Sequence, residues 1–264
     1  MKNVEQAFDL YATNYDEEFT SSFVGKAQRN VVYHNLNSTL DKENAVLEVN
    51  CGTGEDALWL SPKVNSVIAT DISASMINTA KIKLQKTQLD NVKLEISSYA
   101  DLSKKFLPNS FDVVFSNFGG LNCIDEHEFM QAIDAMTKLL KPKGKLVFVI
   151  MGRFCLVESL YFLFKLNLKK IFRRLSRSGI STTINDITFN TYYYSPKKIK
   201  QLTGASFKML RLRGVGILLP PSYLSNKFSS KLTNIIYGVD LFLSRFSWSA
   251  YISDHYYIEL EKTK

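Results

Sequence analysis

From residue 45 onward the chain alternates short apolar runs with longer amphipathic ones. NAVLEV (44–49), SVIAT (66–70), VKLEIS (92–97), FDVVFS (111–116) and KLVFVIM (145–151) have the length and β-branched content of buried strands. Between them EDALWLS (55–61), stopped at Pro62, SASMINTAKIKLQK (73–86), with Ser73 or Ser75 as N-cap, and EHEFMQAIDAMTKLLKPKG (126–144) read as helices. Strands that alternate with helices predict a parallel sheet covered on both faces. Residues 1–40 read as helix, with Tyr11 and Tyr15 one turn apart. After 151 the rhythm changes. Residues 153–194 form an insertion, first a basic amphipathic helical stretch and then the β-like STTINDITFNTYYYS. A short helix, SPKKIKQLTG (195–204) with Pro196 at its start, a strand (206–219), a second, mostly helical insertion (220–250) and a last strand, DHYYIELEK, follow.

Composition narrows the setting. Of 264 residues 45% are apolar, enough for a sizeable core. Cys51, Cys123 and Cys155 show no paired spacing, so neither a disulfide framework nor a structural zinc site is expected, and a reducing cytoplasm fits. MKNVEQAFDLY has no apolar core, so a signal peptide is not expected. FVIMGRFCLVESLYFLF is interrupted by Gly152, Arg153 and Glu158 and falls short of a membrane span. The net charge of +8 is unevenly shared. Residues 1–150 carry 15 basic and 19 acidic residues, a net of −4, and residues 151–264 carry 18 and 6, a net of +12. The second half is therefore expected to face something negative, or to be a basic solvated face.

The candidate chemistry begins at VLEVNCGTG (46–54), where a strand built for a core runs into Asn50, Cys51, Gly52 and Gly54. Strand, glycine turn and helix present backbone N–H groups to a ligand at the helix start. The third glycine of a dinucleotide fingerprint and the GK[ST] of a P-loop are both missing. Instead there is Glu48 before the loop, and Asp71 at the end of the next strand, where a short carboxylate accepts hydrogen bonds from both ribose hydroxyls. Read singly, Glu48 is equally a buried acid, Asp71 a helix cap and Tyr15 a core aromatic. Together they fall on one edge of one sheet.

With FDLYATNYD (8–16), VLEVNCGTG, ATDIS (69–73), FDVVFSNFGGLN (111–122) and LLKPKGKLVFV (139–149) in this order and spacing, the chain resembles the class I S-adenosylmethionine (SAM) dependent methyltransferases. The resemblance is closest to the group that includes the ubiquinone/menaquinone C-methyltransferases, and it covers residues 1–150 and the last strand pair. It implies an α/β fold with a doubly wound, Rossmann-like, seven-stranded, mostly parallel sheet and helical cap insertions. One domain over 1–264 is expected, with a core of about 41–152, 195–219 and 251–264 and cap elements 1–40, 153–194 and 220–250. It implies SAM as cofactor. Gly52 and Gly54 would pass under its methionine part, with Asn50 and Cys51 in the same loop and Glu48 orienting it. Asp71 would hold the ribose, with Ile72 and Met76 near the adenine. Asn117 and Phe118 would lie beside the sulfonium, and Tyr11 or Tyr15 would close over it. The sequence departs from the family at Asn50, where glycine is usual, and at Ser98, Tyr99 and Ala100, where an acid is usual. Asn tolerates the left-handed conformation such a turn needs, and adenine binding would rest on Ser98 and backbone groups, with Asp101 a poorer candidate.

Methyl transfer needs a base only when the acceptor must lose a proton. His127, at a helix start, and His255, at the start of the last strand, are the candidates, with His34 in the N-terminal helix remote from them. On a continuous strand Asp254 and His255 would point to opposite faces, so they are not expected to act as a pair. No metal-ligand spacing is present, which disfavours metal-assisted O-methylation. NFGG (117–120) lacks the (N/D)PP(Y/F) of nucleobase and amide N-methylating enzymes. Within 160–177, Lys165, Lys169, Arg173 and Arg177 are four residues apart, a basic stripe on a helix that suits a membrane surface or serves as a plain lid. The expectation is methyl transfer to a small or lipid-like, anionic acceptor by a cytoplasmic enzyme with a peripheral membrane contact through 160–177. An RNA methyltransferase, hinted at by TYYYS (191–195), and a SAM-binding protein without turnover are the alternatives.

Overall fold

The computed structural model describes residues 2–223 and 230–263, with the side chains of 230–235 left aside. Helix α1 (Lys2–Tyr11) and helix α2 (Phe23–Leu36) are separated by a wide turn, Asp16–Thr20, where one continuous helix was expected. The break has a packing reason. A Cβ at Gly25 would lie 2.0 Å from the Phe19 carbonyl oxygen, so the chain folds back tightly here, and Ser22 caps α2 by accepting from Gly25 N–H. Then follow β1 (Ala45–Val49), α3 (Glu55–Leu60), β2 (Ser66–Asp71), α4 (Ala74–Gln85), β3 (Val92–Ile96), α5 (Leu102–Lys105), β4 (Phe111–Ser116), α6 (Glu126–Leu139) and β5 (Leu140–Met151). The rest of the chain gives α7 (Leu156–Phe164), α8 (Leu168–Ile171), the hairpin β6 (Ile180–Ile184) and β7 (Ile187–Thr191), α9 (Pro196–Thr203), β8 (Phe207–Val215), α10 (Ser230–Leu243) and β9 (His255–Lys262).

Seven strands form one sheet in the order β3-β2-β1-β4-β5-β9-β8. All neighbours are parallel except β9, which runs against both β5 and β8. The expected doubly wound, mostly parallel sheet is what forms. Strand alternation sorts the core into two layers. Leu47, Val49, Val114, Phe148 and Ile150 face α6 and α9, while Val46, Val113, Phe115, Val147 and Val149 lie on the opposite side with Val31, Val32 and Leu36 of α2. The chain order reverses between β1 and β4, so a crevice opens beyond their C-terminal ends, where open α/β sheets bind ligands.

The second half differs from expectation in one respect. Residues 160–177 are not a continuous helix. α7 stops at Phe164, Leu166 takes φ +53° and a one-turn α8 follows, so Lys165, Lys169, Arg173 and Arg177 share no helical face. Of the expected cap 220–250, residues 224–229 lie outside the described residues. No helix among the described residues is long and apolar enough to cross a membrane.

Candidate active site

The glycine loop leaves β1 through Asn50, whose φ of +53° lies in the left-handed region. Asn is one of the few residues that take it readily, so the turn forms where the family has glycine. The Asn50 side chain then locks the loop. Its amide donates to Asn117 O (2.7 Å), and its oxygen accepts from Ser116 Oγ (2.6 Å) and Tyr99 Oη (3.1 Å). The two glycines have different duties. A Cβ on Gly52 would point at open space beside the Tyr15 ring, 3.8 Å away. On Gly54 it would lie 2.9 Å from Ala80 Cβ, so Gly54 serves the close packing of α3 on α4. Cys51 is buried and lines a small recess with Gly52, Thr53, Arg29 and Asp56.

Asp71 lies at the rim of a small pocket together with Gly52, Ile72, Met76, Ser98 and Tyr99. Its carboxylate accepts from Gly52 N–H (2.8 Å) and Ser73 N–H (2.9 Å), which ties the ends of β1 and β2 together. Burial raises its pKa, and these backbone donors partly offset that. Ser98 turns its hydroxyl to Asp101 (2.6 Å). Ala100 is not part of the lining. Glu48 is buried on the α2 side of the sheet, where burial and nearby Asp56 push its carboxyl well above the usual range. Among the described bonds its side chain makes none to the loop, contrary to the expected orienting role.

Two acids of FDLYATNYD close the site from the N-terminal side. Asp9 accepts from Ser75 N–H (3.0 Å) and Ser73 Oγ (2.5 Å) at the start of α4. Asp16 accepts from Thr53 Oγ1 (2.6 Å) and pairs with Lys83 (2.7 Å). Tyr15 thereby lies against the glycine loop, with Tyr11 edge-on to it at 5.6 Å. Tyr11 donates to Glu18 (2.8 Å) and lines an outer cleft.

Arg29, on the inner face of α2, was not singled out in the sequence because a lone arginine inside an amphipathic helix reads as surface. It is buried, pairs with Asp56 and lies 5.2 Å over the Phe118 ring, and its Nε has no partner. Burial works against its charge, but Asp56 more than offsets this. Asp56 also accepts from Tyr33 Oη (2.7 Å) and from the Asn117 amide (2.9 Å). An unpaired buried guanidinium N–H beside the glycine loop suits a carboxylate, and Asp71 at the other end suits a diol. The residues present therefore fit an amino-acid-bearing nucleoside such as SAM.

Phe8, Tyr15, Phe118 and Cys123 line both the pocket, ≈ 70 Å³, and the outer cleft, ≈ 1190 Å³. The cleft is walled by Phe19, Phe23, Met151, Phe189 and Tyr193 and carries Arg173, Arg174 and His255. The two candidate bases part company here. His127 is exposed on α6, away from both spaces. His255 lines the cleft with its ring edge-on to Phe118, centroids 5.4 Å apart. Its Nδ1 is 3.1 Å from Asp254 Oδ2, close but outside the line of a directed hydrogen bond. The expectation that the two side chains diverge fails because Asp254 precedes β9 and does not follow strand alternation.

Cys155, Glu158 and Asp254 form a buried cluster of potential metal ligands, but Arg174 lies between the two carboxylates and supplies the positive charge itself. The tyrosines of 192–194 form no exposed stacking surface. Tyr194 is buried against Phe129, and Tyr193 lies under Arg174.

A family model described as a methyltransferase domain matches residues 46–144. The demethylmenaquinone methyltransferase of Oceanobacillus iheyensis is 34% identical over 125 residues, 45% of this chain and half the length of that relative. An uncharacterized protein of Methanocaldococcus jannaschii is 24% identical over 83% of this chain and 81% of its own. Among solved structures, a DhpI–SAM–HEP complex superposes with TM-score 0.64 at 17% identity, covering 98% of this chain and 96% of that one. The [4+2]-cyclase SpnF gives 0.64 at 14%, covering 98% and 94%. These two likenesses concern the fold. The glycine loop, the acid closing β2, the sheet order and the matched segment agree: residues 46–144 form a methyltransferase domain of the class I SAM-dependent type.

Proposed function

We propose that the protein transfers a methyl group from SAM to a bulky, lipid-like acceptor held in the outer cleft, with His255 as general base. The observation that carries this reading is the meeting of cleft and pocket at Phe118, with His255 against that ring. The cleft exceeds the ~300–1000 Å³ usual for small-ligand sites and is walled by aromatic rings, which suits an aromatic head with an apolar tail. The demethylmenaquinone methyltransferase relatives support a quinone-type acceptor.

SAM supplies a methyl group made electrophilic by its positive sulfur. The chain's part is alignment, exclusion of water and removal of a proton. Asp71 would hold the ribose, Arg29 the carboxylate, and Ile72, Met76, Ser98 and Tyr99 would flank the base. Tyr15 and Phe118 would cover the reacting end. His255 takes the acceptor's proton at Nε2. Labelled methyl transfer from SAM to a reduced demethylated naphthoquinone tests the reading. Tight SAM binding with no transfer to this acceptor, or to any component of a lipid extract, would favour the non-transferring alternative.

Asp71→Ala is expected to weaken SAM binding by ~1.5–3 kcal/mol, the range for hydrogen bonds to a charged group. Unchanged affinity by calorimetry would remove Asp71 from the cofactor site.

The acceptor's lipid character also gives the broken segment 160–177 a role as a membrane contact. Phe164 (82% exposed), Leu166 (84%) and Leu168 (69%) protrude between the exposed Lys165, Lys169 and Lys170. This is an apolar turn in a basic setting, suited to anionic lipid at ~1 kcal/mol per basic residue. Reversing the three lysines to Glu is expected to abolish co-sedimentation with anionic vesicles, while Leu166→Ser weakens it. Wild-type protein that stays in the supernatant at physiological salt would end this reading.

A further inference from the structure

The first insertion does more than roof the cleft, because it sends one arginine, Arg174, into the protein's interior and holds a second, Arg173, half-buried in the cleft wall. Arg174 is buried, donates from Nε to Glu158 Oε2 (2.6 Å), and reaches Asp254 twice: Nη2 to Oδ1 (2.7 Å) and Nη1 to the backbone oxygen (3.0 Å). Arg173 pairs with the other oxygen of Glu158 and donates to Tyr223 Oη (2.8 Å). From α2, Gln28 donates to Asp254 Oδ2 (3.1 Å), the oxygen that His255 Nδ1 approaches. The result is a row of alternating charge, Arg173–Glu158–Arg174–Asp254, that ends on His255. Two positive and two negative groups cancel within it.

This arrangement rests on the reading of His255 as the base. We propose that Arg174 and Glu158 are positioning residues for His255: Arg174 fixes and neutralises Asp254 and Glu158 holds Arg174 in place, so that the imidazole meets the cleft in its neutral form with the proton on Nδ1. The argument is one of charge and lone pairs. Asp254 is acceptor-only, so a bare Nδ1 lone pair 3.1 Å away would oppose it, and the proton belongs on that nitrogen. That leaves the Nε2 lone pair for the acceptor. A lone buried Asp254 would go further and hold His255 as imidazolium, which cannot act as a base. The guanidinium of Arg174 removes that excess negative charge. Burial works to raise the Asp254 pKa, but the charge of His255 whenever it is protonated, and that of Arg174 at all times, hold the carboxyl below the usual range, so Asp254 stays ionised.

Other charged or titratable groups also surround His255. Arg29 of α2 lies across Phe118, Tyr193 lies under Arg174, and Tyr11, Tyr15, Glu17, Glu18 and Tyr223 line the same cleft. All are kept in the variants below.

The test is an NMR titration of the His255 imidazole in the full chain, with tautomer read from its nitrogen shifts. Arg174→Met removes a positive charge and is expected to raise the proton affinity of His255 at least tenfold. Glu158→Gln removes a negative charge from the same row and is expected to lower it several-fold. The acid limb of the pH–rate profile should move with each. Opposite shifts support the proposal. No shift in either variant, shifts of one sign, or an Nε2–H tautomer in the wild type overturns it, since a merely structural role would lower the melting temperature without moving the titration. Should Arg174→Met fail to fold, Arg174→Lys with Glu158→Gln decides, because the lysine keeps the charge and should leave the titration near that of the wild type. If His255→Gln retains full transfer activity while the opposite shifts are seen, the base assignment fails and the charge row stands.

Discussion

His255→Gln is expected to lower turnover by about 10²–10⁴-fold, the usual contribution of a positioned general base, with SAM affinity essentially unchanged. The separation follows from where His255 sits. It belongs to the cleft wall and not to the pocket that contains Asp71 and Gly52. Its neighbours are Phe118 and Asp254, so a Gln of similar reach fills the space against the ring without offering a proton acceptor of useful strength. The loss should be greatest with acceptors whose proton must leave during methyl transfer, and should shrink as the acceptor is chosen more acidic. Single-turnover transfer with labelled SAM measures this directly. A variant that keeps wild-type turnover across such a series would show that the acceptor reaches the methyl group already deprotonated, and His255 would then be a wall residue.

The sequence carried the fold well because the sheet's rules are local. Runs such as VLEV and DVVF have the period and length of buried strands, and the stop at Pro62 and the cap at Ser73 are short-range signals. The glycine loop was legible for the same reason, although its two glycines turned out to answer to different neighbours, one to open space beside Tyr15 and one to Ala80. What could not be read were contacts made across long sequence distances. Arg29 meets Asp56, Gln28 meets Asp254, and Arg174 meets Asp254 eighty positions away, and no periodicity encodes such pairs. The helix drawn through 160–177 failed at Leu166–Asn167. The i, i+4 spacing of charges continues across that point, but the backbone reverses there into a left-handed turn. Charge spacing describes a face only while the helix lasts. The same limit explains Asp254 and His255, where strand alternation was applied one residue before the strand begins.

Arg29→Met is expected to weaken SAM binding roughly 10- to 150-fold and to destabilise the fold, and the two effects can be separated. Asp56 is buried with Arg29 as its ion partner, while Tyr33 and Asn117 donate to it as neutral groups. Removing one member of a buried pair leaves the other charge uncompensated, at a cost of ~3–5 kcal/mol. That cost falls on stability and is read from denaturant unfolding. The binding loss has another origin, the hydrogen bonds that the guanidinium would make to a carboxylate, worth ~1.5–3 kcal/mol, and its Nε–H is buried beside the glycine loop without a partner. The double variant Arg29→Met/Asp56→Asn separates these. It removes both charges, so most of the lost stability should return. If Arg29 only braces α2 against α3, SAM affinity should return as well. If Arg29 holds the carboxylate of the cofactor, affinity should stay low in a protein that is again stable, and decarboxylated SAM should bind the wild type and the double variant about equally. Recovery of full SAM affinity in the double variant would assign Arg29 to the fold alone.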